Sequence, residues 1–439
     1  MDPVMLKKNT TKRRTMYAMI AVFFLLSVPT PAYAYLDPGT GSMLLSVLIG
    51  LLSSAYFLMR KLPALLRAVL FKATGKGKLL ERKHVVIYGE TANYWGTFRP
   101  LLEEFGRRGA AVEYLTSSEN DPCFKADLPD CITCRYIGTG NTAYTTLNFL
   151  EADALVLTTP GIDVLQIRRS KGVKKYIHVV HSLSDIHFYK LFSFDRYDAV
   201  LCSGQYQADS LRLLEALRGT PAKELPLAGC PYIDALAARR EREKDSVKPE
   251  ENCVLVAPTW GANGMLTRYG AAVPRFLAEA GYKVILRPHP QSFTSEKPLM
   301  EQLQRELASF DNIEWDRNPD GFASLSRASV MVSDFSGVVF DFAFVFLRPV
   351  VTLAYELDKR GFDAFSLPHP SWESQAVADL GHRLDPEELE QLPGIIQKLA
   401  SDKTFPERIL RIREASVANF GHAAAPVVDA ILNIAANEK

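Results

Sequence analysis

The chain has 439 residues, 47% of them apolar and 23% charged, enough to bury about two or three domain cores. That composition excludes collagenous, coiled-coil and mini-protein chains. With 51 Lys and Arg against 50 Asp and Glu, a strongly basic nucleic-acid binder is excluded as well.

The near-neutral total hides an asymmetry: residues 1–83 hold 13 Lys and Arg against 3 Asp and Glu, leaving 38 against 47 for the rest. The basic stretch KKNTTKRR precedes an apolar run from Met16 to Val28, the length of a signal-peptide core. It ends in PTPAYA, where Ala32 and Ala34 are spaced as at a cleavage site. A second run, Gly41 to Met59, has 19 residues without a charge and as a helix would span roughly 28 Å, close to the hydrocarbon thickness of a bilayer. Arg60, Lys61, Arg67, Lys72, Lys76, Lys78, Arg82 and Lys83 follow, and positive flanks stay in the cytoplasm. Residues 1–83 are therefore expected to anchor the chain in the inner (cytoplasmic) membrane through the apolar runs 16–34 and 41–59. The form is a hairpin turning at YLDPGTG or, after cleavage, one helix. The catalytic domains then lie on the cytoplasmic side. A secreted soluble protein would need the second run to be a buried core helix. LPALLRAVLF, residues 62–71, suits a membrane-surface helix or an ordinary short one.

Six cysteines at Cys123, Cys131, Cys134, Cys202, Cys230 and Cys253 are too scattered for a disulfide scaffold. Cys131 and Cys134 form one CxxC with only Cys123 near it, whereas a structural zinc takes about four ligands. Reduced thiols are expected.

From His84 onward β-rich runs alternate with amphipathic stretches: HVVIYG, FRPLLEEFGRRG, AVEYLT, CRYIG, ALVLTT, KYIHVVH, DAVLCSG and QADSLRLLEAL. This is the α/β pattern of a parallel sheet covered on both faces. EREKDSVKPEEN, residues 241–252, is charged with no apolar face and reads as a linker. A second alternation runs from CVLVAPTW through KVILRPHP, NIEW and VMVSDFSG to PVVTLAY. The expected domains are 84–240 and 253–384, two Rossmann-like α/β units facing a cleft, with C-terminal helices over 385–439. Open α/β sheets bind ligands beyond the carboxyl ends of their strands, so polar residues there are the candidates.

VMVSDFSGVVFDFAF reads as a strand ending at Ser333 and Asp334, a turn through Phe335, and a helix starting at Ser336 and Gly337. Free N–H groups and the helix dipole make that corner an anion site; plain N-capping is the alternative. In KVILRPHP, strand alternation puts Arg287 and His289 on one side, a pair suited to a pyrophosphate. YIHVVHSLSDIH offers His178, His181 and His187. An offset of three lets a strand aim only one of the first two at a given face. His181, nearer the strand end, is the general-base candidate, against a satisfied core histidine. No recognisable zinc spacing completes this set. APTWGANGML places Thr259, Trp260 and Gly261 in a loop suited to a nucleotide or acceptor.

GCPYIDAL, LVAPTWG, VILRPHP and SDFSGVVFDFAF with RPVV, in this order, resemble the CDP-glycerol:poly(glycerophosphate) glycerophosphotransferases of the teichoic-acid type over about residues 150–360. The resemblance implies two Rossmann-like domains of the glycosyltransferase B type, with CDP-glycerol bound in the C-terminal one. It implies work at the cytoplasmic membrane face, moving glycerol phosphate to a hydroxyl of a lipid-linked acceptor and releasing CMP. His181 then resembles the histidine that takes the acceptor proton, and His289 the histidine at the donor phosphates. Asp334 and Ser336 match the family's Asp-Tyr-Ser-Ser corner, from which Phe335 and Gly337 depart. Val180-His181-Ser182 stands where Trp-His-Gly is usual, and Gly261 where an arginine is frequent. These departures bear on which polyol is carried and leave the phosphate chemistry intact.

The expected enzyme is thus a CDP-glycerol glycerophosphotransferase with catalytic His181 and His289. Arg287, Asp334, Ser336, Gly337 and Thr259 would bind the donor, no cofactor or metal is compelled, and no nucleic acid is a partner. The competing expectations are a sugar-nucleotide glycosyltransferase or epimerase of the same fold, and a membrane-anchored binding protein without catalysis.

Overall fold

The computed structural model describes residues 47, 49–51, 83–354 and 358–437. The chain divides into two compact units, Met1–Lys76 and Gly77–Lys439. In the first, Val47 and Ile49–Leu51 are helical and exposed. The remainder of the apolar runs 16–34 and 41–59 lies outside the described residues. No helix among the described residues is long and apolar enough to cross a membrane.

The second unit holds two sheets of six strands each. The first comprises β1 (Lys83–Gly89), β2 (Val112–Thr116), β3 (Ile132–Tyr136), β4 (Glu151–Leu157), β5 (Gly172–Val179) and β6 (Ala199–Leu201). The second comprises β7 (Cys253–Ala257), β8 (Lys283–Leu286), β9 (Ile313–Trp315), β10 (Val330–Ser333), β11 (Val350–Leu353) and β12 (Gly381–Leu384). The orders are β3-β2-β1-β4-β5-β6 and β12-β11-β10-β7-β8-β9, and the pairings are parallel throughout. Each sheet has the Rossmann order, with its switch point between the first and fourth strands. The strand sequences explain the burial: CVLVA in β7 and VMVS in β10 are buried at every position, as strands covered on both faces must be.

Two features depart from the sequence expectation. The helix Pro231–Glu243 runs into the charged stretch 241–252, its last turn carrying an Arg239–Glu243 pair at 2.8 Å. The C-terminal helices do not form a separate body: Ala424–Ala436 lies on the first sheet, where Val427, Val428, Ile431 and Ile434 share a core with Val85, Ile87, Phe98 and Leu102. Asp234 fixes the return of the chain by accepting N–H bonds from Gly421 and Ala423, each at 2.6 Å.

The lobes also share apolar core. Val180 and Leu183, from the loop after β5, and Cys230 and Ile233 are buried with the strands of the second sheet. Tyr206 stacks on Trp372 with centroids 4.1 Å apart, and Trp372 stacks on Phe340 at 4.8 Å. Ile431→Ala should lower unfolding stability by about 2–5 kcal/mol, the cost of an emptied core site. Urea denaturation reads this; a loss under about 1 kcal/mol would mean that the C-terminal helix is not integral to the first lobe.

Candidate functional site

β5 carries the first-lobe histidines. His178 is fully buried, with Phe194 and Tyr197 rings 4.9 and 5.2 Å from its own. Neither nitrogen has a partner, and burial holds its pKa well below the usual imidazole range. It is a core side chain. His181 follows the strand end and meets Tyr94 edge-on at 5.0 Å. Its Nδ1 is buried without a partner, and burial pushes its pKa down to about 4. Near neutral pH it is therefore an uncharged imidazole, the form a general base needs. His187 serves the lobe interface: Nε2 lies 3.1 Å from the His369 carbonyl and Nδ1 3.2 Å from Asp185.

The loop leaving His181 runs directly onto the second lobe. A methyl group on Gly337 would stand 2.7 Å from the Ser184 hydroxyl and 3.8 Å from Ser182, so glycine is what lets the lobes approach here. Phe188 stacks on Phe335 at 6.1 Å. The Asp185 N–H donates to Glu373 at 2.6 Å, while the Asp185 carboxylate accepts the Trp372 N–H at 2.8 Å. The His181 loop and the Phe335–Gly337 corner are thus brought together.

That corner closes the switch point of the second sheet. Asp334, at the end of β10, is 3% exposed. It accepts the Thr259 N–H on both oxygens at 3.0 and 3.1 Å, and the Met265 N–H at 3.0 Å. Burial raises its pKa to about 6, against the pull of these backbone donors. Asp334 therefore ties the loop after β7 to the end of β10, and Thr259 enters the site through its backbone. Ser336 and Gly337 precede the helix Val338–Phe346, with Gly337 at its N-cap, so the positive end of the helix dipole faces the corner.

After β8, His289 stacks loosely on Trp260 at 6.2 Å. Its Nδ1 accepts the Gln291 N–H at 3.1 Å, which leaves Nε2 to carry the proton as a donor. The surrounding protein lowers its pKa by desolvation. Arg287, expected at the donor phosphates, donates to Asp316 at 2.5 Å and to the Pro319 carbonyl at 3.3 Å. Its charge is answered there, under Gly321, where a Cβ would come within 3.0 Å of the guanidinium.

Two cavities adjoin the corner. One of about 90 Å³ is lined by Asp334, Phe335, Ser336, Thr352, Glu373 and Arg383 among others; one of about 610 Å³ shares Phe188, Phe335, Ser374 and Arg383 with it. Thr352, Glu373 and Arg383 escaped the sequence reading, since no motif marks them. All six cysteines are free thiols, and among the described residues no cluster of His, Cys, Asp or Glu could hold a metal ion.

Asp334→Ala removes the buried acceptor of the Thr259 and Met265 N–H groups and should cost about 3 kcal/mol of stability. Denaturant titration checks this; a loss under about 1 kcal/mol would show that Asp334 does not organise the Thr259 loop.

Residues 189–364 match the family described as CDP-Glycerol:Poly(glycerophosphate) glycerophosphotransferase. The segment takes in Thr259, Arg287, His289 and the Asp334–Gly337 corner and begins just after His181. No curated protein matches the chain. Among solved structures, the Wall Teichoic Acid Polymerase TagF is similar at 16% identity and TM-score 0.51, over 86% of this chain and 97% of that one. The UDP-GlcNAc 2-epimerase of Neisseria meningitidis bound to UDP-GlcNAc gives 13% and 0.50, over 80% and 99%. The Methanocaldococcus jannaschii UDP-GlcNAc 2-epimerase in complex with UDP-GlcNAc and UDP gives 13% and 0.53, over 80% and 99%. At these identities the structural likeness shows the fold, two facing parallel-sheet domains of glycosyltransferase B type. Over residues 189–364, less than half of its length, the chain is similar to the CDP-glycerol:poly(glycerophosphate) glycerophosphotransferases, and it is a CDP-glycerol glycerophosphotransferase-like enzyme.

Proposed function

We propose that the chain moves glycerol phosphate, or a related polyol phosphate, from a CDP-linked donor to a hydroxyl of a lipid-linked or polymeric acceptor in cell-envelope polymer synthesis. The observation that carries this reading is the contact of Ser182 and Ser184, in the loop that leaves His181, with the helix N-terminus at Gly337, which supports a site shared by the two lobes. His181 takes the proton of the acceptor hydroxyl. The freed oxygen attacks the phosphorus that bears the polyol, the bond from that phosphorus to the CMP oxygen breaks, and CMP leaves with the electron pair. His289 donates its Nε2–H to a donor phosphate oxygen, while Ser336 and the 338–346 helix N-terminus offset the negative charge of the diphosphate. The basic, apolar segment 1–83 supports docking at the cytoplasmic face of the inner membrane, where a lipid-linked acceptor is presented.

His181→Ala should lower CMP release from CDP-glycerol roughly 100- to 10,000-fold, the span of general-base assistance, with binding of the donor retained. Activity that survives intact, or release of UDP from UDP-sugars with no CMP from CDP-glycerol, would overturn the reading. Because burial places the His181 pKa near 4, the base is lost only as pH falls through that value. The acid limb of kcat/KM that His181→Ala abolishes should lie near pH 4; a midpoint near the ordinary value of about 6.5 would contradict the assignment.

A further inference from the structure

We propose that Thr352 and Arg383 form, with Ser336 and the N-terminus of the 338–346 helix, the seat for the diphosphate of the nucleotide donor. This rests on the nucleotide-donor reading above and assigns residues to it that no motif marks.

Parallel pairing sets Ser333 of β10 beside Thr352 of β11, and Thr352 beside Arg383 of β12. Partners in register point to the same face of a sheet, so a row of polar side chains crosses the carboxyl edge of the second sheet. Ser333 uses its hydroxyl internally, donating to the Ala257 carbonyl at 2.6 Å. Thr352 does not: it is 4% exposed, and its hydroxyl is buried without a hydrogen-bond partner while it lines the small cavity. A buried hydroxyl left unmatched costs free energy that a ligand oxygen would recover. Arg383 lines the same cavity and has no carboxylate partner among the described residues, whereas Arg287 is taken up by Asp316. Of these two arginines of the second lobe, only Arg383 still presents an unmatched fork of donors, the geometry that recognises phosphate.

Two carboxyl groups line the small cavity, and neither opposes an anion strongly. Asp334 has its oxygens turned to the Thr259 and Met265 N–H groups. Glu373 is held well above the usual carboxylate range by burial and by the charge of Asp185, which weakens its opposition to an anion. A cavity of about 90 Å³ suits a phosphate group rather than a nucleoside. Arg383, Phe335 and Phe188 also line the adjoining cavity of about 610 Å³, whose size is that of a ligand pocket. The organic part of the donor extends into it.

The test is calorimetric titration of the parent, Arg383→Gln and Thr352→Val with CDP-glycerol, CDP and cytidine, and with a UDP-sugar. Arg383 is on the surface and Val keeps the shape of Thr, so circular dichroism should show both variants folded. Arg383→Gln should weaken CDP-glycerol and CDP about tenfold or more and Thr352→Val several-fold, with cytidine changed less than about twofold. If the parent binds CDP-glycerol and both variants bind it equally well, the seat is elsewhere while the donor reading stands. If the parent binds the UDP-sugar and not CDP-glycerol, the CDP reading fails; weaker UDP-sugar binding by the variants then supports the seat, and equal binding overturns it. A parent that binds no nucleoside diphosphate overturns both.

Discussion

Everything in the site depends on a reciprocal exchange between the lobes at Asp185. Its N–H is given to the Glu373 carboxyl and its carboxylate receives the Trp372 N–H, at the first turn of the helix Trp372–Asp379. A side chain from the first lobe thereby caps a helix of the second, and the loop carrying His181 cannot move without breaking buried hydrogen bonds. Around this exchange are arranged the Tyr206–Trp372–Phe340 stack and the Arg218–Asp363 pair at 2.6 Å, both of its side chains largely or fully buried. Such a pair is weak as a source of net stability but costly to break, which suits a contact that sets geometry.

The same constraint explains the electrostatics. Bringing two carboxyl edges of parallel sheets together buries polar groups that would otherwise face water, and their protonation responds. His181 is driven toward its neutral form, while Asp334, Asp341 and Glu373 are driven toward theirs. The result is an uncharged imidazole in the first lobe and, in the second, acids that resist ionisation, two of which, Asp334 and Glu373, line the cavity beside a helix N-terminus. That polarity suits an anionic diphosphate attacked by a hydroxyl.

The two alternations of strand and helix were legible because parallel strands buried on both faces write themselves as apolar runs. The Asp334–Gly337 corner was legible because strand, small polar turn and apolar helix follow one another without a gap. Strand register said only that His178 and His181 could not share a face, and nearness to the strand end favoured His181; the aromatic cage around His178 makes that one a core side chain. What stayed hidden depends on partners distant in sequence. β12 is only GHRL, too short and too polar to announce a strand. Arg287 looks like a phosphate ligand until Asp316, 29 residues on, claims its charge. The return of Ala424–Ala436 to the first sheet is carried by tertiary packing against Val85 and Phe98, which helical periodicity does not encode.

The most direct measurement is the position of the phosphorus atoms in a crystal of the protein soaked with CDP-glycerol. The expected result is a diphosphate at the start of the 338–346 helix, within hydrogen-bond reach of Ser336, with the glycerol-bearing phosphorus turned toward His181. A donor bound away from that corner, or held there with His181 walled off from it, would contradict the shared site.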